Sequence, residues 1–264
     1  MGRRFLFRMR ITDYKQRFDI FICGGTQHVE ALKLLMPKLQ PYGTVHLASS
    51  FLTEIDLYKL HGLYDVLHRP QHSPDGYQNF ELFSIRDINR IATAPWFVKL
   101  DADIELECDW IAYVEECIAA RPDAVLFGPR KGNVDVTWEI SGPLVRRMLR
   151  KDIRVNHGNK VIGGFYVGQT AFFKQHLRLM DIVHELVWCF ENGVRRRPSP
   201  HPEHWPVKPS RRARLTVKGG SPNFRGNEDT LRSLVVHAAG ASDRLHVFDS
   251  RGRIRIFRKN SVIA

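Results

Sequence analysis

Cysteine is scarce in this 264-residue chain: the 4 residues Cys23, Cys108, Cys117 and Cys189 lie far apart, with no C-x-x-C pair. That spacing excludes a disulfide scaffold and a zinc ribbon, and it predicts buried thiols in a reducing compartment. Long apolar runs are missing too. The longest uncharged stretch, residues 39–53, contains Gln, Pro, Gly and His and falls short of the ~20 apolar residues that a bilayer-spanning helix needs. No internal repeat marks a solenoid. A secretory leader is not expected either, because residues 2–11 carry charge inside the would-be apolar region and no small-residue cleavage site follows. There Phe5, Phe7, Met9 and Ile11 alternate with Arg4, Leu6, Arg8 and Arg10, which predicts a half-buried strand with a basic face. A foothold on anionic lipid is the second reading. The resulting expectation is a cytoplasmic protein, with peripheral membrane contact as an addition.

Negative charge is also in short supply. Lys and Arg number 40 against 28 Asp and Glu, a net charge of +12, while 43% of residues are hydrophobic. A chain this apolar and this long buries a substantial core, which excludes wholesale disorder and fits one large domain or two small ones. Basic excess serves nucleic acid, an anionic membrane or a phosphorylated substrate. Much of it sits at the amino terminus, in residues 195–218 and in residues 251–259. Zinc-finger spacing, an aromatic RNP-type segment and a helix-turn-helix pattern are all lacking, so a nucleic-acid partner is not expected.

What is present is alternation. An apolar strand, Phe18 to Cys23, ends at Gly24-Gly25-Thr26 and runs into a helical pattern through Val29, Leu32, Leu35, Met36 and Leu39. Strands then follow at 44–48, 64–67, 95–100 and 124–127, separated by helices at 53–62, 77–92 and 109–120. This order predicts an α/β fold with a mostly parallel sheet covered by helices on both faces, whose ligands bind beyond the carboxyl ends of the strands. Past Gly128 a polar stretch extends to about residue 160, and then come an apolar Gly-containing segment at 161–173 and a helix at 174–190. Residues 195–224 hold six prolines and eight basic residues and predict a long basic loop. A last helix at 227–239 and strands at 245–248 and 253–257 close the chain. No sharp linker divides it, so a single domain is expected.

Three segments carry chemistry. In Phe97-Val98-Lys99-Leu100-Asp101-Ala102-Asp103 a hydrophobic strand delivers two carboxylates, one residue apart, to the sheet edge. Such a pair suffices for a divalent cation that also takes phosphate and water ligands, and the bland alternative is a solvated turn. In Gly226-Asn227-Glu228-Asp229 two acids open a helix, either as ordinary dipole-complementing residues or as a general base for an acceptor hydroxyl. The paired glycines Gly163 and Gly164 allow close approach of a ligand, or mark a bend.

Together these segments resemble the GT-A glycosyltransferases, nearest in layout to the large family-2 group, which transfer a sugar from a nucleotide diphosphate sugar to an acceptor. The resemblance covers roughly residues 18–248. It implies a single GT-A-like domain, with 18–128 binding the nucleotide sugar, 129–248 binding the acceptor and carrying catalysis, and 249–264 as a basic tail. It further implies that Asp101 and Asp103 hold Mn²⁺ or Mg²⁺ and the donor diphosphate, and that Asp229 is the base of an inverting transfer with Glu228 beside it. Gly24 and Gly25 fall where the nucleoside pocket begins, and Arg86 falls near an Arg-Asn pair on the helix before the metal strand. His246 and His237 are candidates for a third metal ligand. Three departures stand out: Asn227 is inserted before the acidic pair, the Gln-x-x-Arg-Trp motif of processive synthases is absent, and Lys99 interrupts an apolar strand, facing either the nucleotide pocket or solvent. The expected partners are the donor and a glycan or lipid-linked acceptor, in glycan, polysaccharide or glycolipid biosynthesis. A sugar-nucleotide nucleotidyltransferase is the alternative enzyme, disfavoured because Gly24-Gly25-Thr26-Gln27-His28 lacks the Arg and Lys of that class. A basic nucleic-acid or membrane-binding protein is the alternative outside enzymes.

Overall fold

The computed structural model describes residues 17–68, 88–102, 104–107, 110–129, 137–141, 146, 150–156, 164–180, 214–218, 228–248, 254–258 and 261–263. The amino-terminal residues through 16, most of the expected helix at 77–92 and residues 195–213 of the Pro-rich stretch lie outside them.

The fold grows from β1 (Phe18–Gly25), buried along its whole length, as a strand covered on both faces must be. A turn at Thr26–His28 leads into α1 (Val29–Leu39), which buries Val29, Leu32, Leu35, Met36 and Leu39 at helical spacing. β2 (Thr44–Phe51), α2 (Glu54–Leu60) and β3 (Val66–His68) follow. The chain then returns through α3 (Ile88–Ile91) to β4 (Trp96–Asp101), with β5 (Ile104–Leu106), α4 (Trp110–Ala120) and β6 (Leu126–Pro129) next. After β7 (Thr137–Ser141) and β8 (Ile153–Asn156) come β9 (Phe165–Gln169), α5 (Thr170–Gln175) and β10 (Arg214–Lys218). The last elements are α6 (Glu228–Ala238), β11 (Leu245–Phe248), β12 (Ile254–Arg258) and β13 (Ser261–Ile263).

Seven strands form one sheet in the order β11-β6-β9-β4-β1-β2-β3. β9 is antiparallel to both its neighbours, and every other pair is parallel. The expected mostly parallel α/β sheet is therefore present. Its pleat sorts two cores. Phe18, Ile20, Ile22, Trp96, Val98 and Leu100 pack on one face with α1, α2 and α4. Phe21, Cys23 and Phe97 pack on the other with residues of α3, α5 and α6.

Two expectations are corrected. Inside the predicted basic loop, Arg214–Lys218 is a strand, pairing with β7, which also pairs with β8. The alternation of Leu215 and Val217 with polar neighbours is a strand signal that the surrounding prolines obscured. The single helix expected from residue 174 is interrupted: α5 runs from Thr170, where its N–H donates to the Pro95 carbonyl at 3.0 Å, and ends at Gln175, and residues 177–180 are helical again after a turn at His176. The tail is structured as well: β12 pairs with β5, the strand that follows the Asp101 turn.

Candidate functional site

From β1 the chain proceeds to β2 on one side, and later to β4 on the other. The carboxyl ends of β1 and β4 thus form the switch point of the sheet, the place where an open parallel sheet leaves a crevice for a ligand. Cys23 is the register partner of Asp101 there. Ala102 N–H donates to the Cys23 carbonyl at 3.1 Å, and Asp101 N–H donates to the Gly164 carbonyl at 2.9 Å. Gly24, Asp101 and Gly164 are therefore neighbours at this edge. At Gly24 any side chain would collide, since a Cβ would lie 2.9 Å from Ala102 Cβ. Asp103, Gly163 and Arg86 lie outside the described residues.

A residue that sequence reasoning missed braces this edge. The buried Asp56 accepts from Thr26 Oγ1 at 2.8 Å, Thr53 Oγ1 at 2.8 Å and Thr53 N–H at 2.9 Å, which ties the turn after β1 to the turn after β2. The Thr53 amide, with both hydroxyls, holds its carboxyl below the ordinary value. The signal was legible as a Thr-x-x-Asp capping box at the start of α2.

Lys99 faces neither bulk solvent nor an empty strand edge. Its side chain is 2% exposed, and its ammonium donates to Asp101 Oδ1, two residues on and on the same face; Asp101 itself is 36% exposed. Among the described residues, no three His, Cys, Asp or Glu side chains gather to hold a metal ion. One partly exposed carboxylate at the crevice fits a cation shell completed by ligand phosphates and water, and not a cage made by the protein alone.

α6 approaches from the face that Lys99 and Asp101 share. Its end is closed by Gly240 N–H to the His237 carbonyl at 3.1 Å and Ala241 N–H to the Val236 carbonyl at 3.0 Å, and β11 begins at Leu245, parallel to β6. The helix therefore runs back against the strand direction, which puts its first turn, with Glu228 and Asp229, toward the carboxyl edge. One turn in, Arg232 is fully buried. Its Nε donates to Tyr166 Oη at 2.6 Å and its Nη1 to Asn89 Oδ1 at 2.8 Å. Its guanidinium carbon lies 4.7, 4.9 and 5.2 Å from the ring centres of Phe97, Tyr166 and Phe173. Arg232 thus clamps the start of α6 onto β4 and β9, a role for which the sequence offered only an Arg three residues after Asp229.

The histidines expected as a third metal ligand are elsewhere. His246 shares a register row with Phe127, Val167 and Val98, the face opposite Asp101, and stacks edge-on to Phe127 at 5.9 Å. Burial, with Arg121 second, lowers its pKa. His237 sits in the last turn of α6, with Nδ1 2.7 Å from Ser242 Oγ. Neither joins Asp101.

A buried polar row, also unforeseen, crosses β1, β2 and β3 on the Asp101 face. Asp19 Oδ2 accepts from Ala94 N–H at 2.8 Å, Asp19 Oδ1 lies 3.2 Å from His46 Nε2, and His46 Nδ1 lies 2.9 Å from His68 Nε2. Burial alone pushes the Asp19 carboxyl up, but its bonds to His46, Ala94 and Thr93 together hold it below the ordinary value. Burial, then the charge of His46, lowers His68 to about 4.

No protein-family model and no curated protein sequence matches the chain. Solved structures do. Residues 1–349 of S. aureus TarS align at 9% identity and a TM-score of 0.38, over 61% of this chain and 49% of that one. The glycosyltransferase GlyE of Streptococcus pneumoniae aligns at 10% identity and a TM-score of 0.47, over 89% and 46%. Mannose-1-phosphate geranyltransferase of Thermus thermophilus aligns at 12% identity and a TM-score of 0.38, over 65% and 63%. The chain thus spans about half the length of the first of these. The likeness is one of layout, and no activity follows from it.

Proposed function

We propose that this chain is a metal-dependent glycosyltransferase, moving one sugar from a nucleotide diphosphate sugar to an acceptor hydroxyl by inverting displacement, in glycan, polysaccharide or glycolipid biosynthesis. The supporting observation is convergence at one edge. The Gly24-Gly25 turn and Asp101 lie at the switch point between β1 and β4, and Arg232 holds α6 on β4 and β9 with its first turn toward the carboxyl edge.

In this reading Asp101 and Asp103 hold Mn²⁺ or Mg²⁺ together with the donor diphosphate. A cation bound there neutralises the charge that develops on the departing β-phosphate. Gly24 and Gly25 border the nucleoside, Gly163 and Gly164 let the sugar approach the backbone, and Arg86 contributes positive charge to donor binding. Asp229 takes the proton of the acceptor hydroxyl as that oxygen bonds to the anomeric carbon and the bond from that carbon to the diphosphate breaks. Glu228 orients the acceptor. The basic stretch 195–218 faces an anionic partner, either the diphosphate of a lipid-linked acceptor or a membrane surface on which the protein sits peripherally. Among the described residues no helix is long and apolar enough to cross a membrane.

Product analysis tests this reading. With UDP-, GDP- or dTDP-sugars and Mn²⁺ the protein is expected to release the nucleoside diphosphate. Release of pyrophosphate from a sugar 1-phosphate and a nucleoside triphosphate would instead establish a nucleotidyltransferase. A salt-sensitive nucleic-acid gel shift without donor turnover would establish a binding protein.

A further inference from the structure

We propose that Lys99 is a resident cation that couples divalent-metal binding at Asp101 to the arrival of a nucleoside diphosphate: metal alone binds weakly, the diphosphate alone is partly accommodated, and the two together bind tightly. This rests on the glycosyltransferase reading and specifies how its donor site is loaded.

Lys99 lies in the middle of β4, with Phe21 of β1 and Tyr166 of β9 as its register partners. The Lys99 side chain is 2% exposed, and its ammonium is tolerable there only beside an anion, because an uncompensated buried charge is costly. That anion is Asp101, two positions along the same face, where strand geometry holds the pair together. A divalent cation that takes Asp101 as a ligand competes with Lys99 for that carboxylate and sets a second positive charge beside a side chain only 2% exposed. A diphosphate arriving at the same edge supplies negative oxygens for both cations. By linkage, whatever each ligand does for the other is reciprocal. Lys99 should thus oppose metal without nucleotide and favour nucleotide without metal. Damage to packing alone weakens both.

The opposite signs make the test. Lys99→Met removes the charge at similar length, Lys99→Gln does so with a hydrogen-bonding side chain should Met fail to fold there, and Lys99→Arg keeps the charge. The measurements are the affinity for Mn²⁺ alone, by the electron paramagnetic signal of the free ion, and the affinity for UDP, GDP and dTDP alone, by calorimetry. Charge removal is expected to tighten Mn²⁺ about tenfold and to weaken the bound nucleotide about tenfold, with Lys99→Arg close to wild type in both. If the two affinities move in the same direction, or neither moves, the coupling is wrong. Should wild type bind nucleotide with Mn²⁺ while the opposite shifts are missing, only the coupling falls. Should it bind none of the three nucleotides even with Mn²⁺, the coupling and the glycosyltransferase reading fall together.

Discussion

On one face of the central sheet, Phe18, Ile20 and Ile22 of β1 and Trp96, Val98 and Leu100 of β4 meet α1, α2 and α4, and every one of these strand positions is apolar. On the other face the same strands contribute Asp19, Lys99 and Asp101, and β2, α3 and α6 add His46, Asn89 and Arg232, most of them buried. Polar groups are expensive to bury unless each is bonded, and here they form three bonded sets: Asp19 with His46 and His68, Lys99 with Asp101, and Arg232 with Asn89 and Tyr166. The pleat thus separates two jobs within a strand, and adjacent residues on β4 belong to different ones. Both faces carry an apolar core, and only one of them adds bonded charge, with Lys99 and Asp101 toward the carboxyl end of β4.

Leu100 and Asp101 set the sharpest test of that separation. In a Lys99→Met background, where no buried ammonium loses its carboxylate, Asp101→Ala is expected to cut donor turnover about a thousandfold, roughly 4 kcal/mol, while the melting temperature stays within a degree or so of the Lys99→Met parent. Leu100→Ala is expected to do the converse: it loses about 3 kcal/mol in urea unfolding through the cavity it leaves, while the folded enzyme still turns over donor. If both substitutions damaged activity and stability alike, the division by face would fail. Arg232→Ala lies between them. It deprives Tyr166 and Asn89 of a buried partner, with an expected cost of about 2 kcal/mol in urea unfolding, and it lowers turnover because the helix that carries Asp229 loses its clamp.

The smallest expected effect concerns pH. His68 titrates near 4 in the fold against 6.5 when unfolded, so between those values the unfolded chain binds the proton that the fold refuses. The stability this contributes is complete above about 6.5 and is lost as pH falls toward 4, by about 1 kcal/mol after allowing for partial exposure. Asp19, lowered from 3.8, loses its contribution only at still lower pH. Urea midpoints of His68→Gln should therefore be flatter than wild type between pH 6.5 and 4, and an unchanged slope would remove His68 from the polar row.

The apolar face was the legible one. Its residues recur at period 2 in the strands and at helical spacing in α1 and α4, so strand, helix and sheet type could be read directly. Asp101 was legible because a carboxylate after an apolar run is unusual, and the helix at Glu228 because its apolar positions repeat. Lys99, Arg232 and His46 were opaque for a common reason. In one dimension a charged or imidazole side chain looks like a solvated position, and only the partner strand or helix that satisfies it reveals that it is buried. β10 was hidden by the prolines around it. The proposed third ligand His246 failed on parity, since its register row puts it on the wrong face.

The melting temperature measured with UDP, GDP and dTDP, with and without Mn²⁺, bears most directly on whether the β1/β4 edge is the donor site. One nucleotide is expected to raise it by about 5 °C when Mn²⁺ is present at saturating ligand, less without the metal, and by no more with Mn²⁺ than without it in Asp101→Ala. A shift of equal size in Asp101→Ala, or no shift with any of the three, would contradict the assignment.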